Sequence, residues 1–376
     1  HKNDIRVILD VVYNHTATGE AQRAYDATVP GYFFRTTPDG KLRNDAGTGN
    51  SMADERRMVR KFIVDSLVFW AERYNVDGFR FDLLGTHQPE TVDAIMAALG
   101  DVREDLTIYG EPWTGGGPIH FAKGQQKNTG MAVFNDHLRG AIRGGLDDAT
   151  TGFATGPGGD PGTLLAGVRG AITDFTAGPT ETVNYASAHD NLTLWDKIER
   201  ANPNASEDEK IAMQKLALGI VLTSQGVPFL HGGSDFARTK GGEHNSYNKG
   251  DAVNKFDWDR KGEYLAMHDY VAGLIKLRRE HPAFRLRTAD DVLDSLAVVS
   301  TNPAVVYTLR GVDGEPWDEI LVAYNGEPGA VTIDLPAGSW QQVVDADRAG
   351  TDKLRTVDGQ LELPGYSIAV MHRGRP

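Results

Sequence analysis

The stretch VDGFRFDLLG, residues 76–85, reads as a buried β-strand whose far end turns polar. Side chains alternate along a strand, so Arg80 and Asp82 point to one side. A charged pair inside an otherwise apolar strand is costly unless the charges are partnered. Helical patterns flank the strand. Upstream, within residues 51–74, Val59, Phe62, Ile63, Leu67, Trp70 and Tyr74 recur on one helical face. Downstream, Pro89 near the start and Gly100 just past the end bracket a helix carrying Val92, Ile95, Met96 and Leu99. Helix, apolar strand, helix is the rhythm of βα units around a parallel sheet.

The same rhythm holds from residue 1 to about residue 281. Further strands are expected at Ile5–Val12, Leu106–Gly110, Met131–Asn135, Thr182–Ala186 and Val227–His231, with the central one spanning Asp77–Leu83. Ser206-Glu207-Asp208-Glu209 is a capping box ahead of the apolar run Ile211–Leu222. His268–Glu280 reads as the last helix of this region, stopped by Pro282. Thr151–Gly162 is a Gly-rich loop. After Pro282 short runs alternate with turns: Leu296–Ser300, Ala304–Leu309, Glu319–Tyr324, Ala330–Leu335 and Tyr366–Met371. That texture predicts an antiparallel β domain of roughly 90 residues. Within it Trp317 and Trp340 read as core or turn residues.

Composition narrows the function. The 376 residues carry 39 basic and 52 acidic side chains, a net charge of −13. This argues against nucleic acid or an anionic membrane surface as the main partner, because both select a basic face. Cysteine is absent, which excludes disulfides, zinc–thiolate sites, iron–sulfur clusters and cysteine nucleophiles. No apolar run approaches the ~20 residues of a membrane-spanning helix.

In a β/α barrel the active face lies at the C-terminal ends of the strands. Four strands here end in chemistry-bearing residues: ILDVVYNH (8–15), VDGFRFDLLG (76–85), IYGEPW (108–113) and NYASAHDN (184–191). Each alone has a plain structural reading. Arg80 and Asp82 could be an ion pair, Glu111 a helix-start carboxylate, His189-Asp190 an Asx turn and His15 a satisfied buried histidine. Three carboxylates, one arginine and two histidines ending parallel strands in chain order are harder to explain as packing. Such a set suits glycoside cleavage, which needs one protonated and one ionised carboxyl. Neighbouring carboxylates raise one another's proton affinity, and an adjacent arginine keeps its partner ionised. The nearby aromatics Tyr13, Phe81, Trp113, Tyr185 and Trp195 offer faces for sugar rings, although most read as core.

DVVYNH, GFRFD, GEPW and AHDN resemble the four ordered signature regions of the α-amylase superfamily of retaining glycoside hydrolases. YASAHDN, the long helix before YNVDGFRFDLLG, and GVPFLHGGSDFARTKGGEHNSYNKGDAVNKFDW are similar to type I pullulanases, the α-1,6 debranching enzymes. Isoamylase-type and glycogen-debranching relatives, which usually differ over Arg238–Trp258, and α-1,4-acting amylases are the alternatives. A non-catalytic carbohydrate-binding homologue is a further one, against which the three carboxylates speak.

The resemblance implies Asp82 as nucleophile, Glu111 as general acid then base, and Asp190 as the group stabilising the oxocarbenium-like transition state. It implies that Arg80, His15 and His189 hold the glucose on one side of the scissile bond. Asp10 would support Arg80, Trp113 would line the aglycone side, and the loop Asn245–Asn254 would offer Tyr247 or Asp251. No cofactor is required. Asn14 matches a position that binds structural calcium in many α-amylases, but debranching members often lack that site, so no metal is expected. The implied partner is an α-glucan, with neither nucleic acid nor membrane. Secretion is favoured over a cytoplasmic location.

The implied fold is α/β: a (β/α)8 TIM barrel over residues 1–286, followed by an all-β antiparallel sandwich over 287–376. Six strands are counted where the barrel has eight. DVVYNH should be the third, so the first two βα units are missing from this chain. The aromatic-bearing YNWGYDP motif expected just before it is missing too. The chain starts at His1 rather than Met, and the expectation is a separate or earlier segment that completes the barrel.

Overall fold

A computed structural model describes residues 1–17 and 20–374. The chain divides into two compact units, one comprising His1–Phe134 with Phe175–Ala177, the other Asn135–Asp174 with Gly178–Pro376.

The first unit runs β1 (Ile8–Val11), β2 (His15–Thr16), α1 (Glu20–Thr28), β3 (Asn50–Ser51), α2 (Arg57–Tyr74), β4 (Gly78–Phe81), α3 (Pro89–Val102), β5 (Thr107–Gly110) and β6 (Ala132–Phe134). Strands β1, β4, β5 and β6 pair in that order, all parallel. Each falls inside its expected stretch. Register sets Asp10 opposite Arg80 and Phe81 opposite Gly110. The approach of β4 to β5 demands glycine at 78, where a Cβ would lie 1.9 Å from the Thr107 carbonyl oxygen.

Helix α2 buries Val59, Ile63, Leu67 and Ala71, a strict four-residue step. Phe62 and Tyr74, expected on that face, are exposed. They join aromatic clusters instead: Phe62 meets Tyr13 and Tyr25 edge-on, and Tyr74 leans on Trp70 and Phe69. Helix α3 does not stop at Gly100 but runs to Val102, where the Arg103 amide closes it onto the Leu99 carbonyl.

The second unit runs α4 (Asp136–Arg143), α5 (Pro161–Val168), β7 (Thr182–Asn184), α6 (Leu194–Ala201), α7 (Glu207–Thr223), β8 (Val227–Pro228), α8 (Asp251–Asn254), α9 (Asp259–Glu263), α10 (Leu265–Glu280) and α11 (Ala289–Ser295). Strands β7 and β8 are a parallel pair. The Ser206 capping box forms, with side chain and backbone bonded reciprocally to Glu209. Six strands follow: β9 (Leu296–Ser300), β10 (Val305–Arg310), β11 (Glu319–Asn325), β12 (Val331–Val344), β13 (Arg355–Leu363) and β14 (Ser367–Arg373). They form one antiparallel sheet in the order β13-β12-β14-β11-β10-β9.

Alternation along these strands makes two cores. Val305, Tyr307, Ile320, Val322, Tyr324, Ile368 and Val370 share a cluster with Leu216, Ile220 and Val221 of α7 and with Val271 and Leu274 of α10. The alternate residues Val306, Leu321, Ala323, Ala369 and Met371 cluster with Ile333, Leu335, Trp340, Leu361 and Leu363. The expected sandwich of two sheets is therefore a single hydrogen-bonded sheet whose β12–β13 arm covers its outer face. β12 continues through Pro336-Ala337-Gly338, which reads as a turn, by breaking register between Asp334 and Ser339. β13 escapes a reading for strands because it is a polar edge, with Leu361 and Leu363 as its buried residues.

Gly273 in α10 offers a test of this packing. Alanine ordinarily stabilises a helix by about 1 kcal/mol over glycine. Here a Cβ would lie 2.0 Å from the Ala349 carbonyl oxygen. Gly273→Ala should therefore destabilise, by about 1–3 kcal/mol from overpacking, as measured by urea unfolding.

Candidate active site

In the first unit the strand ends converge on one guanidinium. Arg80, on β4 and buried, donates from Nη1 to Asp10 Oδ1 at 2.8 Å and to Asp82 Oδ1 at 3.1 Å. Its Nη2 donates to Glu111 Oε1. Burial alone would lower the Arg80 pKa, but Glu111, Asp10 and Asp82 outweigh it and raise it. The planar fork suits this, since it presents separate nitrogens to separate carboxylates. The pairing also resolves the charge buried in the β4 strand.

Glu111 is buried, and its second oxygen accepts from the Leu83 amide at 2.9 Å. Leu83 reaches that position in a left-handed conformation, φ 39° and ψ 51°. A branched residue rarely adopts this, and the strain sits directly after Asp82. The chain after Glu111 is seated on Gly85, whose amide faces the Glu111 and Trp113 carbonyls, both at 3.1 Å. A Cβ there would lie 2.5 Å from the Trp113 oxygen. Trp113 itself is half-buried and leans on Phe134 with ring centroids 6.2 Å apart.

Asn14, buried, donates to both the carbonyl and Oδ2 of Asp82, each at 2.9 Å. Its own oxygen meets His15 Nδ1, and His15 Nε2 meets the Thr48 hydroxyl at 3.1 Å. Burial lowers the His15 pKa, with Asp82 partly opposing. The ring is therefore neutral at neutral pH, able to hydrogen-bond a sugar without adding charge. Of the other aromatics, Phe81, Tyr185 and Trp195 are buried, as core residues are.

The second unit carries His189 and Asp190, exposed and 3.6 Å apart, on the turn after β7. Arg143 at the end of α4 closes that turn from beneath, donating to the Ala186 and Leu192 carbonyls, both at 3.1 Å. Asp147 holds its last residues, accepting from Asn191 Nδ2 at 2.8 Å and the Leu192 amide at 2.9 Å. Tyr247 is 81% exposed on the following loop, and Asp251 opens α8. Thus Asp10, His15, Arg80, Asp82, Glu111 and Trp113 lie in the first unit, and His189, Asp190, Tyr247 and Asp251 in the second. Among the described residues no group of three or more His, Asp or Glu is arranged to hold a metal ion.

Sequence reading missed the residues that aim these groups. Asn14 was visible only as a calcium position, and Leu83 carried no signal at all. Arg143 left one: a basic residue beside Leu138, Ala141 and Ile142, which are all buried.

Comparisons with known proteins show what the chain as a whole is similar to. Residues 295–348 match the model of the family "Pullulanase, all-beta domain". The chain is 40% identical over 349 residues to a pullulanase of Bacillus subtilis, covering 89% of this chain and 48% of that protein. Over most of its length the chain is similar to type I pullulanases. A solved pullulanase from Bacillus acidopullulyticus superposes with a TM-score of 0.96 at 41% identity, over 99% of this chain and 47% of that one. A Bacillus subtilis type I pullulanase complexed with maltose gives 0.94 at 35% identity, over 100% and 54% respectively. The chain spans about half the length of the curated relative it matches.

Two outcomes test the electrostatics. Arg80→Lys keeps the charge but offers one nitrogen to three acceptors, and should cost about 1–3 kcal/mol by urea unfolding. His231, beyond β8, has its pKa lowered to about 3 by burial and then by Arg238, Lys240, His189 and Arg143. Unfolded, it titrates near 6.5. Between those values the unfolded chain binds a proton that the native chain refuses, so stability falls as pH drops from about 6.5 to 3. His231→Gln should flatten that fall in unfolding curves taken at pH 7 and 4.5.

Proposed function

We propose that this chain carries the reaction centre of a retaining glycoside hydrolase that cleaves α-1,6-glucosidic branch linkages in pullulan, amylopectin or limit dextrins. The observation that carries the reading is the guanidinium of Arg80 gathering Asp10, Asp82 and Glu111 at parallel strand ends, in a chain similar to type I pullulanases. In this reading β1, β4, β5 and β6 of the first unit and β7 and β8 of the second correspond to strands three to eight of a (β/α)8 barrel.

Asp82, paired with Arg80 and steadied by Asn14, attacks the anomeric carbon. The bond to the glycosidic oxygen breaks as Glu111 gives that oxygen its proton. The product is a covalent glycosyl–Asp82 ester and a free acceptor chain. Water then attacks the same carbon, surrendering its proton to Glu111 as the ester bond breaks and releases the Asp82 carboxylate, and the configuration is retained. Asp190 stabilises the positive charge that develops on the sugar ring. Arg80 and the Leu83 amide both donate to Glu111. Donation therefore requires Glu111 to exchange its contact with Arg80 for the glycosidic oxygen as the glucan displaces water. His15, Arg80 and His189 bind hydroxyls of the retained glucose, with Trp113 on the aglycone side. The two-carboxylate chemistry needs no metal or cofactor.

The test is incubation of the intact protein that carries this chain with pullulan. Maltotriose should be released, first as the α-anomer by NMR. Panose, a β-anomer, or a preference for glycogen over pullulan rejects the reading. Asp82→Asn should abolish turnover, and Glu111→Gln should lower kcat by about 10²–10⁴-fold.

A further inference from the structure

The loop that carries Tyr247 and leads to Asp251 is exposed along nearly its whole length, with Ser246 as its buried point. Three contacts meet there. The Lys240 ammonium donates to Ser246 Oγ at 2.6 Å. Asn254 Nδ2 donates to the Ser246 carbonyl at 2.6 Å, and the Lys249 amide to the same carbonyl at 3.1 Å. Arg238 braces the far end through the Asn254 carbonyl at 2.9 Å.

Lys240 has a second acceptor, the carbonyl of His189 at 2.8 Å. His189 immediately precedes Asp190. One buried ammonium therefore ties the turn bearing His189 and Asp190 to the anchor of the Tyr247 loop. The lysine is itself fixed from behind. Its amide donates to Asp196 Oδ2 at 2.8 Å, and the Thr239 hydroxyl takes the other Asp196 oxygen. Asp196 lies in the first turn of α6, buried, where the helix N-terminus favours a carboxylate. A buried ammonium bonded to a carbonyl and a hydroxyl is an expensive way to join two loops. A neutral donor would hold them at lower desolvation cost. The long side chain does what a short one could not: it spans from the 239–240 segment to both loops at once.

We propose that Lys240 is a positioning residue that locks the Ser246–Asn254 loop to the His189–Asp190 turn, and that this lock governs how tightly an α-glucan is held. The substrate class rests on the debranching reading; the lock itself does not. A loop displaced by about 1 Å would present Tyr247 wrongly to the chain it grips, and misplacement on that scale is costly.

The experiment compares Lys240→Met and Ser246→Ala with the intact wild-type protein in two assays. The first is amide hydrogen exchange. Lys240→Met should accelerate exchange across 245–254, while α7 and the β10–β11 strands keep wild-type protection. Ser246→Ala, which leaves the lysine and the Asp196 contacts in place, should do the same to a smaller degree. The second is steady-state hydrolysis of pullulan. KM should rise on the order of tenfold in Lys240→Met with kcat changed far less, the mark of lost substrate binding. Wild-type exchange in the loop overturns the lock. So does a collapse of kcat at unchanged KM, which would place Lys240 in the chemistry at Asp190. If Lys240→Met loosens the whole fold, Ser246→Ala decides, and wild-type exchange and KM in that variant overturn the proposal. If the wild-type protein leaves pullulan intact, the debranching reading falls, while the exchange measurements still decide the lock.

Discussion

A single buried guanidinium sets the terms for the first unit. Arg80 sits inside a parallel strand, where a charge is tolerated only when partnered. Its partners come from three neighbouring strand ends: Asp10 from β1, Asp82 from the end of β4 and Glu111 from the end of β5. Removing the cation would take from the buried Glu111 carboxylate its charged partner, a loss of about 3–5 kcal/mol for comparable pairs. The parallel register is what makes the arrangement available, because it places Asp10 and Arg80 side by side. Under the proposed mechanism, the pair that stabilises the site is also the pair that Glu111 relinquishes to act as an acid.

The second unit solves a related problem by other means. Two of its cations, Arg143 and Lys240, donate to backbone carbonyls and a hydroxyl rather than to carboxylates. Arg143 closes the turn that bears His189 and Asp190, and Lys240 joins that turn to the next loop. Exposed loops would otherwise have little to hold them, since few of their side chains are buried. The polar anchors let Asp190 and Tyr247 face solvent without letting the backbone drift. Behind them the sheet of β9–β14 packs onto α7 and α10. At that seam the Tyr324 hydroxyl meets those of Thr223 and Tyr307, and the Tyr307 hydroxyl donates to the Thr223 carbonyl.

Much of this was legible because it depends on local pattern. Six apolar runs became strands, four of them parallel in the first unit and two a parallel pair in the second. Ser206 and Glu209 became a reciprocal cap. Failures cluster where tertiary context overrides the pattern. Phe62 and Tyr74 keep helical spacing but turn to aromatic neighbours at the surface. Pro336-Gly338 interrupts a strand without ending it, because the register can shift there. β13 has too few inward residues to show an alternating signature.

For the site the division is sharper. Residue order along the chain determined which side chains end parallel strands: Asp82, Glu111, Asp190, Arg80 and the two histidines. Alternation, strand spacing and the chemistry of carboxyl groups suffice for that. Tertiary structure alone decided how each is aimed. The strained Leu83 amide on Glu111, the Asn14 amide on Asp82, Arg143 beneath the His189 turn and Lys240 behind it bridge residues that are distant in sequence or follow no periodicity. A hydrogen bond between two such groups is a property of their separation in space, and no pattern along the chain encodes that separation.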